Sequence, residues 1–382
     1  MRQTHAQRML MESCDVLIVG GGPAGSTCAR ILHQAGMKVI VMDKKHFPRS
    51  KVCAGWITPE VVTTLELDAE EYSQGRVFQP IMGFCSGTFG RKRVETRYDK
   101  VVSYGILRRE FDEYLLRRCG AQLILGMEYK AMVKDGNEWR VNDLIHARLV
   151  IGAGGHFCPI ARFMGAQAGK REISVAAQEV EFELSREQIS CCQVRPEILE
   201  LYFCNDLQGY GWCFRKGNVL NVGLGREHSN SVSHETKEFL RLLKLSNHIP
   251  EDTPEKCPGH AYILWGHTRR ELIRDGLMLI GDAAGLAYPQ SGEGIRTAVE
   301  SGVLAAETIL SAKGNFRKER LVPYAERLIQ RFGRPRPAAY PRGPIASLER
   351  VLMGNRWFSR HVIVDRWFLH RDVPALAGTT SL

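Results

Sequence analysis

Gly20, Gly22 and Gly25 stand at the spacing G-x-G-x-x-G, and Asp43 follows about 20 residues on, where that fingerprint has its acid. Each glycine has a physical reason. The first permits a tight turn, the second lets backbone approach a pyrophosphate, and the third lets a helix pack closely on a strand. Phosphate oxygens then take the unpaired N–H groups at the helix N-terminus, here around Ala24. Asp43 is placed to receive ribose hydroxyls, with Lys44 beside it at the same edge. A glycine fingerprint alone is weak, but this one is in register with its surroundings. The apolar run 15–19 precedes it, a helix-length segment to Gly36 follows, and a second apolar run, 38–43, ends on the acid. Together these make a βαβ unit that binds a dinucleotide.

A second strand-to-glycine passage lies far downstream. The apolar residues 277–280 run into Gly281-Asp282-Ala283-Ala284-Gly285, then Pro289 and Gly292-Glu293-Gly294-Ile295, and a long helix follows to about residue 310. This passage resembles the second flavin motif of the para-hydroxybenzoate-hydroxylase-like flavoproteins. The resemblance implies FAD, with Gly281 and Asp282 at the ribityl chain. It also implies that Gly292, Gly294 and Ile295, at a helix N-terminus, face the flavin edge where reduction places negative charge. A helix dipole and backbone N–H groups stabilise such an anion. Arg109, in Arg108-Arg109-Glu110-Phe111-Asp112, resembles the arginine that opens a helix beside the FAD phosphates of these enzymes. Residues 149–155 resemble their Ile-Gly-Ala-Asp-Gly segment, with Gly154 where the aspartate is usual.

Two further segments resemble the geranylgeranyl reductase family. Tyr210-Gly211-Trp212-Cys213-Phe214-Arg215-Lys216 with Asn221-Val222-Gly223-Leu224-Gly225 is similar to its Tyr-x-Trp-x-Phe-Pro-Lys…Val-Gly-x-Gly signature, and Lys51-Val52-Cys53-Ala54-Gly55 to its Lys-x-Cys-Gly-Gly loop. Arg215 replaces a proline and Ala54 a glycine. The resemblance covers about residues 14 to 312. It implies Cys53 at the flavin–substrate junction, with Gly55, Trp212 and Phe214 lining the substrate pocket. The Tyr210 hydroxyl, or a water, would give the proton. Alternate aromatics on one strand face also describe a packed core, and both readings stand at this point.

The expected reaction is reduction of a carbon–carbon double bond in an isoprenoid or other lipid, by hydride from reduced flavin. The alternative is a flavin-dependent monooxygenase, a hydroxylase or halogenase-like enzyme acting on a small apolar substrate. The Trp-x-Trp-x-Ile-Pro motif of the halogenases is absent. No second G-x-G-x-x-G follows a strand, so electrons are expected from NAD(P)H docking in the cleft or from a separate electron-carrier protein.

These residues require an α/β chain: a Rossmann-type FAD-binding domain (12–55, 100–165 and 270–312) with an inserted antiparallel β-sheet substrate domain (56–99 and 166–269) and a C-terminal basic helical region (313–382). Within it, residues 57–72 read as helical. A composition of 44% hydrophobic and 25% charged residues is that of a soluble globular protein, and no apolar run reaches the roughly 18 residues that span a bilayer. The first fourteen residues lack the apolar core of a signal peptide, so a cytoplasmic protein is expected. Eleven cysteines without a C-x-x-C pair point to reduced thiols and no metal site. Residues 317–372 hold thirteen Lys/Arg against five Asp/Glu, a net of +8 in a chain of +10. Trp357-Phe358, Val362-Ile363-Val364 and Trp367-Phe368-Leu369 lie among them, as in a helix that contacts the inner face of a membrane, or in a subdomain that packs its aromatics inward. No nucleic-acid recognition motif accompanies the charge.

Overall fold

Val16, Leu17 and Ile18 are fully buried because the strand Glu12–Val19 is covered on both faces, as its unbroken apolar run requires. The computed structural model describes residues 12–168, 172–227, 231–267, 270–336 and 352–376. Glu12–Val19 pairs in parallel with Val39–Asp43 on one side and Ile145–Gly152 on the other. Gln122–Leu125 and Leu277–Leu279 extend the parallel set outward. A short antiparallel edge and a two-strand meander bring this sheet to eight strands. Helices Pro23–Gln34 and Ile295–Ser311 pack together against it. Their contact is unusually close: a Cβ on Gly302 would lie 2.6 Å from the Ala24 carbonyl oxygen.

The second sheet has seven strands, with Val175–Glu183, Val219–Glu227, Gly209–Lys216 and Ile198–Phe203 as its antiparallel centre. It is not antiparallel throughout. Gly83–Thr88 runs parallel to Ile198–Phe203, since the chain returns to it only after a long excursion through the first sheet. A three-stranded sheet, Trp56–Ile57, Ser103–Ile106 and Phe78–Ile81, lies at the passage between the two. The single helical stretch expected over 57–72 is two short helices, Pro59–Thr64 and Ala69–Ser73. Glu66 takes a left-handed conformation between them, and the Asp68 carboxylate caps the second by accepting from the N–H groups of Glu70 and Glu71.

The described residues from 313 onward, 313–336 and 352–376, pack partly into each of the two cores. Lys318–Leu321 and Pro323–Phe332 pack Phe316, Leu321, Tyr324 and Leu328 into the core of the first sheet. The π-helix Ser359–Phe368 instead lays Ile363, Val364 and Phe368 against Trp56, Leu201, Trp212 and Phe214 of the second sheet's core. Trp357 stays 65% exposed, beside the exposed Arg356 and Arg360. The loop expected from Gly333 to Pro344 lies, beyond Arg336, outside the described residues. Among the described residues no helix is long and apolar enough to cross a membrane.

Candidate active site

A cavity of about 920 Å³ opens at the carboxyl ends of the parallel strands, where such sheets bind ligands. Val19, Gly20 and Gly22 line it after the first strand, Asp43 and Lys44 after the second, and Ala153 and Gly154 after the third. Gly20 needs to be glycine: its φ is +121°, and a Cβ would lie 2.4 Å from the Ala153 carbonyl oxygen. Gly22 differs. Its conformation is ordinary, and a Cβ there would meet nothing closer than Arg49 Nη2 at 3.6 Å. What its missing side chain leaves is open cavity at the helix N-terminus, where unpaired N–H groups can receive an anion. Asp43 Oδ2 accepts the Gly21 N–H at 2.8 Å and Oδ1 accepts that of Lys45 at 2.9 Å, so the acid also ties down the glycine turn.

Two predicted glycines lie beneath the wall rather than on it. A Cβ on Gly25 would sit 2.0 Å from the Gly20 carbonyl oxygen, and one on Gly281, at φ +59°, would sit 2.9 Å from the Ala24 Cβ. Both permit close packing and neither faces the cavity. Gly292, Gly294 and Ile295 do face it, at the N-terminus of the long helix, and Ala24 faces it from the other helix.

Arg109 is not at the site. It is half-exposed and pairs with Glu183 at 3.5 Å, while Arg108 lines the cavity and is buried. Helix Arg108–Arg118 buries the stripe 108, 111, 112 and 115, and position 109 falls off that stripe. The apolar spacing of Phe111 and Leu115 held the signal that picks Arg108. Arg108 Nε and Nη2 donate to Asp112 at 2.8 and 2.9 Å, and Arg49 reaches the same carboxylate at 3.1 Å. Burial works against the Arg108 charge, but Asp112 and the neighbouring Cys53 thiol outweigh it and hold the guanidinium protonated. Asp282 lines the cavity opposite. Burial would raise its pKa, yet Lys51 at 3.4 Å, His260 at 3.7 Å and Arg108 hold it well below the usual carboxylate range. Lys51, in the Cys53 loop, thus joins the two ends of the fingerprint chemistry.

The remaining wall is apolar. Cys53, Gly55, Trp56, Tyr210, Trp212 and Tyr262 line it. Phe214 does not. It is fully buried and edge-on to Trp56, with ring centroids 6.3 Å apart, so it supports the wall from behind. The Tyr210 hydroxyl donates to the Ser291 carbonyl oxygen, and burial pushes its pKa well above the phenol range, which makes it a held group and a poor acid. Sequence reasoning passed over Glu293, between the two cavity glycines. It is buried, and among the described residues neither carboxyl oxygen has a hydrogen-bond partner. Burial pushes it up to about 8 against the opposing pull of Arg296, so it is a neutral acid at neutral pH. His370 Nε2 lies 3.6 Å away, itself held neutral by burial, with its pKa down at about 3.

Two helix N-termini, an ionised aspartate, a cationic glycine loop and an apolar flank fit a flavin dinucleotide and a ligand beside it. The chain belongs to the flavoproteins: the family model of the FAD binding domain matches residues 13–331. Within them it is a member of the geranylgeranyl reductase family. It is similar to the digeranylgeranylglycerophospholipid reductase of Methanocaldococcus jannaschii, 27% identical over 318 residues that cover 80% of this chain and 79% of that one. It is also similar to the menaquinone reductase of Mycobacterium tuberculosis, 30% identical over 321 residues, covering 78% and 77%. Among solved structures, a geranylgeranyl bacteriochlorophyll reductase-like protein of Thermoplasma acidophilum shares the fold, with a TM-score of 0.71 at 22% identity over 97% of this chain and 94% of that one.

Two outcomes follow. Arg108→Ala lowers FAD content of the purified protein while Arg109→Ala leaves it at the wild-type level, read from flavin absorbance per chain. For Glu293, the folded pKa lies above the unfolded one, so its contribution to stability is full below about 4.3 and is lost as pH rises through about 8. Glu293→Gln abolishes that loss. Its thermal midpoint gains on wild type as pH is raised from acid through about 8.

Proposed function

We propose that this protein is an FAD-dependent reductase that saturates carbon–carbon double bonds in an isoprenoid lipid or prenylated ring compound. The observation that carries this reading is the apolar wall of Trp56, Tyr210 and Trp212, which shares one cavity with the glycine turn and Asp282. A polar dinucleotide and an apolar ligand are thereby brought side by side. The first sheet and its helices form the FAD-binding unit, and the second sheet forms the substrate unit. Residues 316–332 belong to the former and 353–369 to the latter, by their packing.

Bound and reduced, the flavin supplies a hydride with both electrons. The chain's own residues hold and orient. Gly20, Gly22 and Ala24 admit the pyrophosphate, with Arg49 and Arg108 as counter-cations, Asp43 and Lys44 take the adenosine ribose, and Asp282 takes the ribityl hydroxyls. Gly292, Gly294 and Ile295 offer backbone N–H groups and the positive end of a helix to the ring. Cys53 and Gly55 meet the ligand where the two units join. Trp212 is fixed by its indole N–H donating to Asn221 Oδ1 at 2.6 Å, so the wall is set before the ligand enters. Water is excluded by the same aromatic wall. The reductant is NAD(P)H docking in the cleft or a separate electron carrier.

A membrane contact, in this reading, is confined to the exposed edge of the C-terminal segment at Arg356, Trp357, Arg360 and Arg366. Its other aromatics are committed to the core. The protein then works at the cytoplasmic face of the membrane that holds its substrate.

The deciding experiment is anaerobic. Enzyme reduced in advance is mixed with a geranylgeranyl lipid and with a prenylated quinone, and products are read by mass spectrometry. A gain of two hydrogens in either confirms a reductase and names the substrate class. A product made only when oxygen is admitted, carrying an added oxygen atom, supports the monooxygenase alternative.

A further inference from the structure

Lys216 is fully buried and closes the signature strand, yet it touches no part of the cavity. Its three ammonium hydrogens are all engaged: Nζ donates to the Ala54 carbonyl at 3.0 Å, to the Ile106 carbonyl at 3.1 Å and to Glu181 Oε2 at 2.5 Å. One residue earlier in the loop, the Cys53 N–H donates to Glu179 Oε1 at 2.7 Å. Two consecutive residues of the cysteine loop are therefore gripped from behind, one by its N–H and one by its carbonyl. Asn221 links the two grips. Its Nδ2 reaches Glu181 Oε2 at 2.8 Å and Glu179 Oε2 at 3.5 Å, while its Oδ1 accepts from Trp212. Strand register explains the meeting, since Asn221 lies directly opposite Glu181 on one neighbour and Phe214 on the other. Gly55 leaves the ammonium its place: a Cβ there would be 3.0 Å from Lys216 Nζ.

A fully buried ammonium and the buried Glu179 carboxyl, with only the exposed Glu181 reaching water, are a costly way to hold a turn, and well-packed apolar residues usually do as well or better. What apolar packing lacks is direction. We propose that Lys216 and Glu179 are positioning residues for Cys53, which fix its backbone and so aim its side chain into the cavity in a fixed relation to Trp212. The proposal rests on the reductase reading only in giving Cys53 a task there. The groups facing Glu179 are Lys216, Glu181, Asn221 and, more distantly, Cys257, while Arg108 faces the Cys53 thiol. Burial pushes the Glu179 carboxyl up to about 7, against the pull of the Cys53 N–H and Lys216. An ionised acceptor makes the stronger hydrogen bond, so the grip on Cys53 tightens as pH rises through that value.

The test is the rate at which iodoacetamide alkylates Cys53 in FAD-loaded protein, read by peptide mass spectrometry. Lys216→Met frees the Ala54 carbonyl and raises the rate by about tenfold, the equivalent of about 1.4 kcal/mol of lost restraint, and Lys216→Arg restores part of it. Glu179→Gln keeps an acceptor oxygen but cannot ionise. The ratio of wild-type to Glu179→Gln rates falls as pH is raised through about 7. If Lys216→Met does not fold, the Glu179→Gln ratio decides alone. Wild-type rates and a flat ratio overturn the proposal. Since alkylation needs no substrate, these thiol effects in an enzyme that reduces no prenyl compound sink the reductase reading and leave the positioning roles standing.

Discussion

Backbone must touch backbone where the two long helices of the first sheet cross. There Gly302 lies against the Ala24 carbonyl, where a methyl group would stand 2.6 Å from the oxygen, and Gly25 likewise lets the first helix close on the Gly20 turn before it, at 2.0 Å. Only with no side chain between them do both helix N-termini open onto the same cavity. Everything electrostatic in the site depends on that approach. One N-terminus lies at Gly22–Ala24 and the other at Gly294–Ile295, and both line the cavity. Each carries about half a positive charge, at a distance fixed by the crossing.

The side-chain cations within reach explain how the acids around the cavity divide. Asp282 sits among Lys51, His260 and Arg108 and stays ionised. Glu293 is equally enclosed, but its partner Arg296 is already engaged by Glu300, at 2.9 Å, and by the Val373 carbonyl. Burial therefore prevails and the carboxyl stays neutral. The cavity thus keeps one ionised carboxylate, at Asp282, and one neutral acid, at Glu293. Arg296 links this arrangement to the C-terminal segment. The residues after the π-helix reach the cavity loop because that buried guanidinium and Arg331 hold the Val373 and Pro374 carbonyls.

Much of this was legible in the sequence, for a reason that particular residues make plain. The glycine turn, Asp43 and Asp282 obey local rules: a tight turn, a strand end, a helix start. Such rules act over a few residues and leave a spacing behind. The choice between Arg108 and Arg109 depended instead on the rotation of one helix, for which Phe111 and Leu115 were the only guide. Phe214 belongs to the same alternating strand face as Tyr210 and Trp212, and no spacing tells that Trp56 covers it. The inward turn of the C-terminal aromatics was one of two open readings. Charge composition could not decide it, since arginines border a membrane-facing helix and a packed one alike.

Glu179, Lys216 and Asn221 are buried polar residues in strands that otherwise read as core. Sequence alone gives a buried Lys beside aromatics no partner, and the ordinary reading is a surface charge at a strand end. Its partners are two backbone carbonyls and a glutamate on a different strand, and the carbonyls come from segments more than a hundred residues away. The two family signatures, the Lys51–Gly55 loop and the Tyr210–Lys216 strand, are thus halves of one structure. Tyr210 and Trp212 of that strand line the cavity, and its terminal lysine holds the loop that brings the cysteine to that wall. Gly55 stands where the halves meet: a side chain there would lie 2.5 Å from the Ile106 carbonyl oxygen and 3.0 Å from Lys216 Nζ, the two partners of that grip.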